Sequence, residues 1–100
     1  MFIKIHKSYR DVVAVCDSDI VGKNFESEDG KFQLDVKENF FKGEEFSEEE
    51  TIKIMKKMSV EDATFNIIGE NSVNAGLKAE IISQEGIKEI QGIPFALVLM

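Results

Sequence analysis

Cys16, Asp17 and Asp19, with Lys23 shortly after them, are the residues in this chain whose types and spacing come closest to a reactive site. A cysteine nucleophile works as the thiolate and needs a base to form it. His6 is the sole histidine, so it is the one imidazole that could serve. Asp17 opposes that role, because a carboxylate beside a thiol raises its pKa. Cys16 also closes an apolar run, where a free cysteine acts as a small buried hydrophobe. Asp17-Ser18-Asp19 places two carboxylates on alternate positions of a turn, a spacing that can share a hard cation such as magnesium. Polar turns capped by aspartate show the same spacing without metal. One cysteine and one histidine cannot fill a zinc site. The sequence therefore assigns no catalytic residue, no metal and no cofactor.

Other residues stand out by position. Gly22-Lys23 and Gly43-Glu44-Glu45 are turn glycines followed by solvated charge. Gly69-Glu70 sits where a strand meets a helix, but a single glycine is not a phosphate-binding loop, and Glu70 repels an anion there. Phe40-Phe41 is an aromatic pair beside a turn, and Pro94 opens the apolar tail Phe95 to Met100. Such a tail cannot alternate inside and out. It is either covered on both faces or left waiting for a partner or a second copy of the chain. The candidate binding positions are thus Cys16, Asp17, Asp19, Gly22, Lys23, Phe40, Phe41, Gly43 and Pro94.

The elements that must position these residues follow from periodicity. Phe2 to Lys7 alternates, with Ile3 and Ile5 on one face, and Val12 to Cys16 is a β-branched run, so the two read as a hairpin. Lys23–Glu26 and Lys31–Val36 flank Asp29-Gly30, a second hairpin signal. Ser47 with Glu50 forms a capping box ahead of an apolar stripe at Ile52, Met55 and Met58, which predicts a helix over 47–58. Phe65–Ile68 predicts a strand, and Val73 and Leu77 predict a helix over about 70–79. Gly86–Ile90 and Ile93–Leu99 read as two further strands, with Pro94 confined to a strand start or a sheet edge. The expected fold is a single α+β domain over residues 1–100. It is a two-layer sandwich with a mostly antiparallel sheet and two helices on one face.

Composition narrows the class. The 100 residues carry a formal charge of -7 and are 43% hydrophobic, which fits a folded domain. Residues 24–50 hold three lysines against ten carboxylates, so the excess acidity lies in that segment. It would repel a phosphate backbone, while a small basic cluster remains at Lys4, Lys7, Arg10 and Lys23. Arg10 is the only arginine, which disfavours base-specific reading of nucleic acid. An N-terminus charged by Lys4 and the lack of a long apolar run predict a cytoplasmic protein with no membrane partner.

The order of motifs resembles a known family. Val13-Ala14-Val15-Cys16-Asp17 precedes Ile20-Val21-Gly22-Lys23 and Phe25, then Leu34-Asp35-Val36, Phe40-Phe41 and Gly43-Glu44. Asn66-Ile67-Ile68-Gly69-Glu70 with Val73, and Gly92-Ile93-Pro94, complete the series. This is similar to the small archaeal domain-of-unknown-function family 424 (DUF424). The resemblance implies an α+β domain of cytoplasmic archaeal origin and carries over no catalytic residues. The resulting expectation is a non-catalytic interaction module, set by analogy in translation or RNA processing. The alternative is a small enzyme or metal-dependent site built around Cys16, Asp17, Asp19 and Lys23.

Overall fold

Alternating and β-branched segments pair into one central sheet in a computed structural model that describes residues 1–99. The elements run β1 (Phe2–His6), β2 (Val12–Cys16), β3 (Asn24–Glu26), β4 (Gln33–Asp35), α1 (Glu38–Phe41), β5 (Glu44–Glu45), α2 (Glu48–Val60), β6 (Thr64–Ile68), α3 (Glu70–Lys78), β7 (Lys88–Ile90) and β8 (Ile93–Val98). Six strands form a sheet in the order β5-β1-β2-β6-β8-β7, and β3 and β4 form a separate two-stranded ribbon. The sheet is mixed. β2 and β6 run parallel at its centre, joined by a connection that carries the ribbon, α1, β5 and α2, while the remaining pairs are antiparallel.

Side-chain alternation sends each central strand's residues to two different cores. Ile3, Val13, Val15, Phe65 and Ile67 point to one face, where Met55 and Met58 of α2 and Val73 and Ala75 of α3 cover them. Full burial of a side chain such as Phe65 contributes about 2–3 kcal/mol. Local chemistry starts α2 as expected. The Ser47 N–H donates to Glu50 Oε1 at 3.0 Å, and Glu50 N–H donates to Ser47 Oγ at 3.2 Å. The Ser47 main-chain bond, helped by its hydroxyl, holds the Glu50 carboxyl below its usual range.

The opposite face of the sheet is covered too, which the two-layer expectation did not include. Ala14, Cys16 and Ile68 pack there against Leu34, Val36 and Phe41, with Phe25 and Phe95 at the margin. This lid is the first part of the acidic segment, folded as ribbon and α1, while the rest of that segment supplies β5 and the start of α2. The acid residues face water while one apolar row, Leu34 and Val36, faces in. Phe32, which alternation would put on the same row as Leu34 and Val36, lies in the loop ahead of β4 and is 66% exposed. Phe40-Phe41 forms a single helical turn, not an irregular one, closed by Lys42 N–H donating to Glu38 O at 2.8 Å.

Candidate functional site

β2 ends at Cys16, and the two residues at its end have opposite fates. Cys16 points into the lid-side core with no exposed surface. Asp17 is also buried, at 7% exposure, and its carboxylate reaches the start of α3. Oδ1 accepts from the Ser72 N–H at 2.8 Å and the Ser72 hydroxyl at 2.7 Å, and Oδ2 accepts from the Asn71 N–H at 3.1 Å. A helix start exposes main-chain donors and a partial positive charge. Here the anion that satisfies them comes from a strand end 55 residues earlier in the chain. Gly69 makes the approach possible. Its φ of 111° and ψ of 153° suit glycine alone, and a Cβ there would lie 2.4 Å from Asp17 Cγ.

This geometry answers the reactive readings one by one. The Asp17 oxygens are committed to α3, so the Asp17-Ser18-Asp19 turn does not present two carboxylates to one cation. Ser18 Oγ bonds Glu45 instead, and Asp19 is exposed. Among the described residues, no three His, Cys, Asp or Glu side chains gather as metal ligands. His6 is turned away from Cys16: its Nε2 is 2.9 Å from the Phe40 carbonyl oxygen, and its ring stacks on Phe40 at 4.4 Å. The two residues lie at opposite ends of the β1–β2 pairing, His6 across from Val12 and Cys16 across from Phe2. Gly22, at φ 85°, and Lys23 turn the chain from β2 into the ribbon.

Burial pushes the Cys16 thiol from 9.0 up to about 12, and Asp17 adds to the rise. A folded pKa above the unfolded one means the native state keeps its proton longer. The stabilisation is complete below about pH 9 and is lost as pH rises towards about 12. Native protein is therefore expected to resist iodoacetamide at neutral pH and to react fully once unfolded. In Cys16→Ala the alkaline fall in stability should begin at higher pH. Rapid alkylation of the native thiol would contradict this assignment.

Several recesses mark the surface, and the candidate residues that line them are not the reactive ones. A groove of about 590 Å³ lies between β1 and α2, lined by Ile3, Ile5, Gly43, Phe46, Ile54 and Met58 with charged residues at its rim. A second, of about 460 Å³, lies on the lid side between Phe40, Phe41 and Asn66. A third, polar and about 420 Å³, is formed by Tyr9, Arg10, Asp11, Glu61 and Asp62 at the β1–β2 turn. Cys16, Asp17, Asp19, Lys23 and Pro94 line none of them. Pro94 is the second residue of β8, opposite Glu89 of β7 and so inside the sheet near a strand start, and its carbonyl accepts from Gly69 N–H at 2.8 Å on the side where β6 ends. The basic cluster is also divided. Lys7 and Arg10 lie at the start of β2 and Lys23 beyond its end, about 13 Å of strand away. Lys4 is drawn to the Asn39 carbonyl oxygen at 2.7 Å.

The fold and these positions can be set beside known proteins. The family model for DUF424, a protein of unknown function, matches residues 6–100. The chain belongs to the DUF424 family. A crystal structure of an uncharacterised conserved protein from Methanopyrus kandleri superposes with a TM-score of 0.83. It shares 21% sequence identity with the DUF424 chain, over 97% of this chain and 88% of the other. That likeness concerns the fold, and the neighbour is archaeal. No curated protein matches the chain. Among the described residues, no helix of this DUF424 protein is long and apolar enough to cross a membrane.

Sequence reasoning missed two features. Ser72, fully buried, is the second half of the Asp17 junction, and nothing local to Asn71-Ser72 announces a carboxylate partner. The other is Leu97, 55% exposed within the apolar tail. Strand alternation from Phe95 would have put Leu97 and Leu99 on one face, but not shown that the lid stops short of them. Met100, the last residue of that tail, lies outside the described residues.

Proposed function

We propose that this DUF424 protein is a non-catalytic interaction module that docks through the outer half of its C-terminal strand. The observation that carries this reading is the exposure of Leu97 at 55% and Leu99 at 73%, on the lid face where neither ribbon nor α1 reaches. The strand's edge is open at the same place. β7 pairs with β8 only as far as Phe95, and the turn between them, Gln91-Gly92 with both φ positive, sets a two-residue hairpin. Ile90 and Ile93 close that hairpin, so the odd-numbered residues of β8 direct their main chain to this edge. Among the described residues, Leu97 is the first of them with no strand opposite. An uncharged strand with a free edge and exposed leucines is a surface that proteins normally guard or use. The buried Cys16 and the committed Asp17 count against the enzyme alternative.

Leu97→Lys tests this reading without disturbing the core, and its stability should stay within about 0.5 kcal/mol of wild type. A tagged wild-type protein should retain a partner from nuclease-treated native extract, or sediment as an oligomer, and Leu97→Lys should lose that association. Equal recovery by both proteins would sink the proposal. So would a partner that disappears on nuclease treatment, which would favour an RNA-linked setting.

A further inference from the structure

The other edge of the sheet has an independent opening, and it lies against the groove between β1 and α2. Met1 exchanges two main-chain bonds with Phe46: its amino group donates to Phe46 O at 3.0 Å, and Phe46 N–H donates to Met1 O at 2.8 Å. In an antiparallel pair such doubly bonded positions recur at alternate residues. Met1, Ile3 and Ile5 therefore direct their main chain outward, away from β2. Glu44 meets Ile3 in register, and β5 ends there. The next partner position is never filled. At Gly43 the chain crosses so close to β1 that a Cβ would lie 2.2 Å from the Ile3 carbonyl oxygen, and it passes to the lid side as α1. Ile5, 38% exposed, keeps an outward N–H and C=O with no strand opposite among the described residues.

We infer that this edge takes an extended polypeptide segment as an added strand, continuing the line of β5 past Ile5 and placing one apolar side chain between Ile5, Ile54 and Met58. A strand added here would bond the Ile5 main chain and lie about 4.8 Å beyond β1, over the groove. The groove supplies the pocket for an alternate side chain, since its floor is apolar. Its rim is mixed in sign, with Lys4, Lys7 and Lys57 against Glu44 and Glu61, while Lys4 is drawn to the Asn39 carbonyl oxygen and Lys7 is paired with Asp11 at 3.2 Å. Such a rim tolerates a polypeptide of either charge but gives a phosphate backbone no continuous positive track. The inference is separate from the Leu97 reading: it concerns the opposite edge of the sheet and a different occupant.

Nuclear magnetic resonance on the whole, unaltered protein tests it. The probe is a soluble alternating peptide, acetyl-Thr-Val-Thr-Leu-Thr-Val-amide, compared with the same peptide N-methylated at its central residues. Added-strand binding should give saturable shifts at the Ile5 amide and the Ile54 methyl groups. Affinity should fall about tenfold on N-methylation, which removes main-chain donors and leaves the side chains intact. Equal response to both peptides would mean apolar adhesion and overturn the inference. No saturable shift at Ile5, shifts confined to Leu97, or the same shifts with a single-stranded oligouridylate would overturn it as well. Peptide-free shifts at these residues that grow with protein concentration would assign the edge to a second copy, against the inference. Shifts confined to Leu97 would leave the C-terminal strand proposal standing, so the two readings fail separately.

Discussion

Gly69→Ala is expected to cost about 4 kcal/mol. Two terms combine at one atom. The Gly69 backbone, at φ 111° and ψ 153°, occupies a region that residues with a Cβ avoid at a cost of about 1–3 kcal/mol. The new Cβ would also stand 2.4 Å from Asp17 Cγ, so the carboxylate must leave the start of α3 or the helix must shift. Either movement weakens bonds to a buried charged acceptor, worth about 1.5–3 kcal/mol each before compensation by water. Urea denaturation should show a lower midpoint with an unchanged slope, and for a domain of this size the melting temperature should drop by about 20 °C. A loss below about 1 kcal/mol would mean that Asp17 does not sit tightly against Gly69.

Asp17→Ala approaches the same junction from the other side, and a loss of about 3 kcal/mol is expected. Removing the carboxylate leaves the Asn71 and Ser72 N–H groups and the Ser72 hydroxyl without their acceptor. The first turn of α3 also loses an anion at its positive end. Asp17→Asn separates these contributions. Its single oxygen can keep the two Ser72 bonds made by Oδ1 while giving up the Asn71 bond and the charge, so about half the loss should remain. The pair is coupled as well. With Asp17 already alanine, Gly69→Ala should cost less, because backbone strain persists but the collision has gone. An interaction energy of about 1 kcal/mol or more is expected from the double-mutant cycle. Strict additivity would contradict the contact. Equal losses for Asp17→Ala and Asp17→Asn would show instead that charge, not hydrogen bonding, carries the effect.

The same junction explains why the candidate site was only half legible. Sequence neighbours Cys16 and Asp17 look like a thiol beside a carboxylate on a polar turn, a pattern that allows nucleophilic, metal-binding and structural roles. The apolar run from Val12 to Cys16 was enough to read the thiol as buried, and the structure agrees. The use of Asp17 depended on α3, which packs at the end of β2 only because β2 and β6 run side by side in parallel. Parallel pairing carries no hairpin turn to betray it. Phe40-Phe41 posed a similar problem: an aromatic pair beside Gly43 reads as a turn, and a single helical turn lacks the length that periodicity needs.

Local chemistry was read correctly wherever partners lie within a few residues of one another. The capping box starts α2 at Ser47, the alternating segment forms β1, the β-branched and apolar runs form β2 and β6, and Asp29-Gly30 lies in the ribbon's connecting loop. These features, with the acidity of residues 24–50, follow from the sequence alone because dihedral preference, side-chain period and short-range hydrogen bonds require no knowledge of the rest of the chain. Tertiary structure decided the rest: that the first part of the acidic segment forms a lid on the second face, that Asp17 serves α3, and that the sheet stops short of covering Ile5 and Leu97. Those outcomes depend on which distant segments meet and where each ends. Burial and unpaired main-chain edges are properties of the assembled sheet, not of any stretch of residues within it.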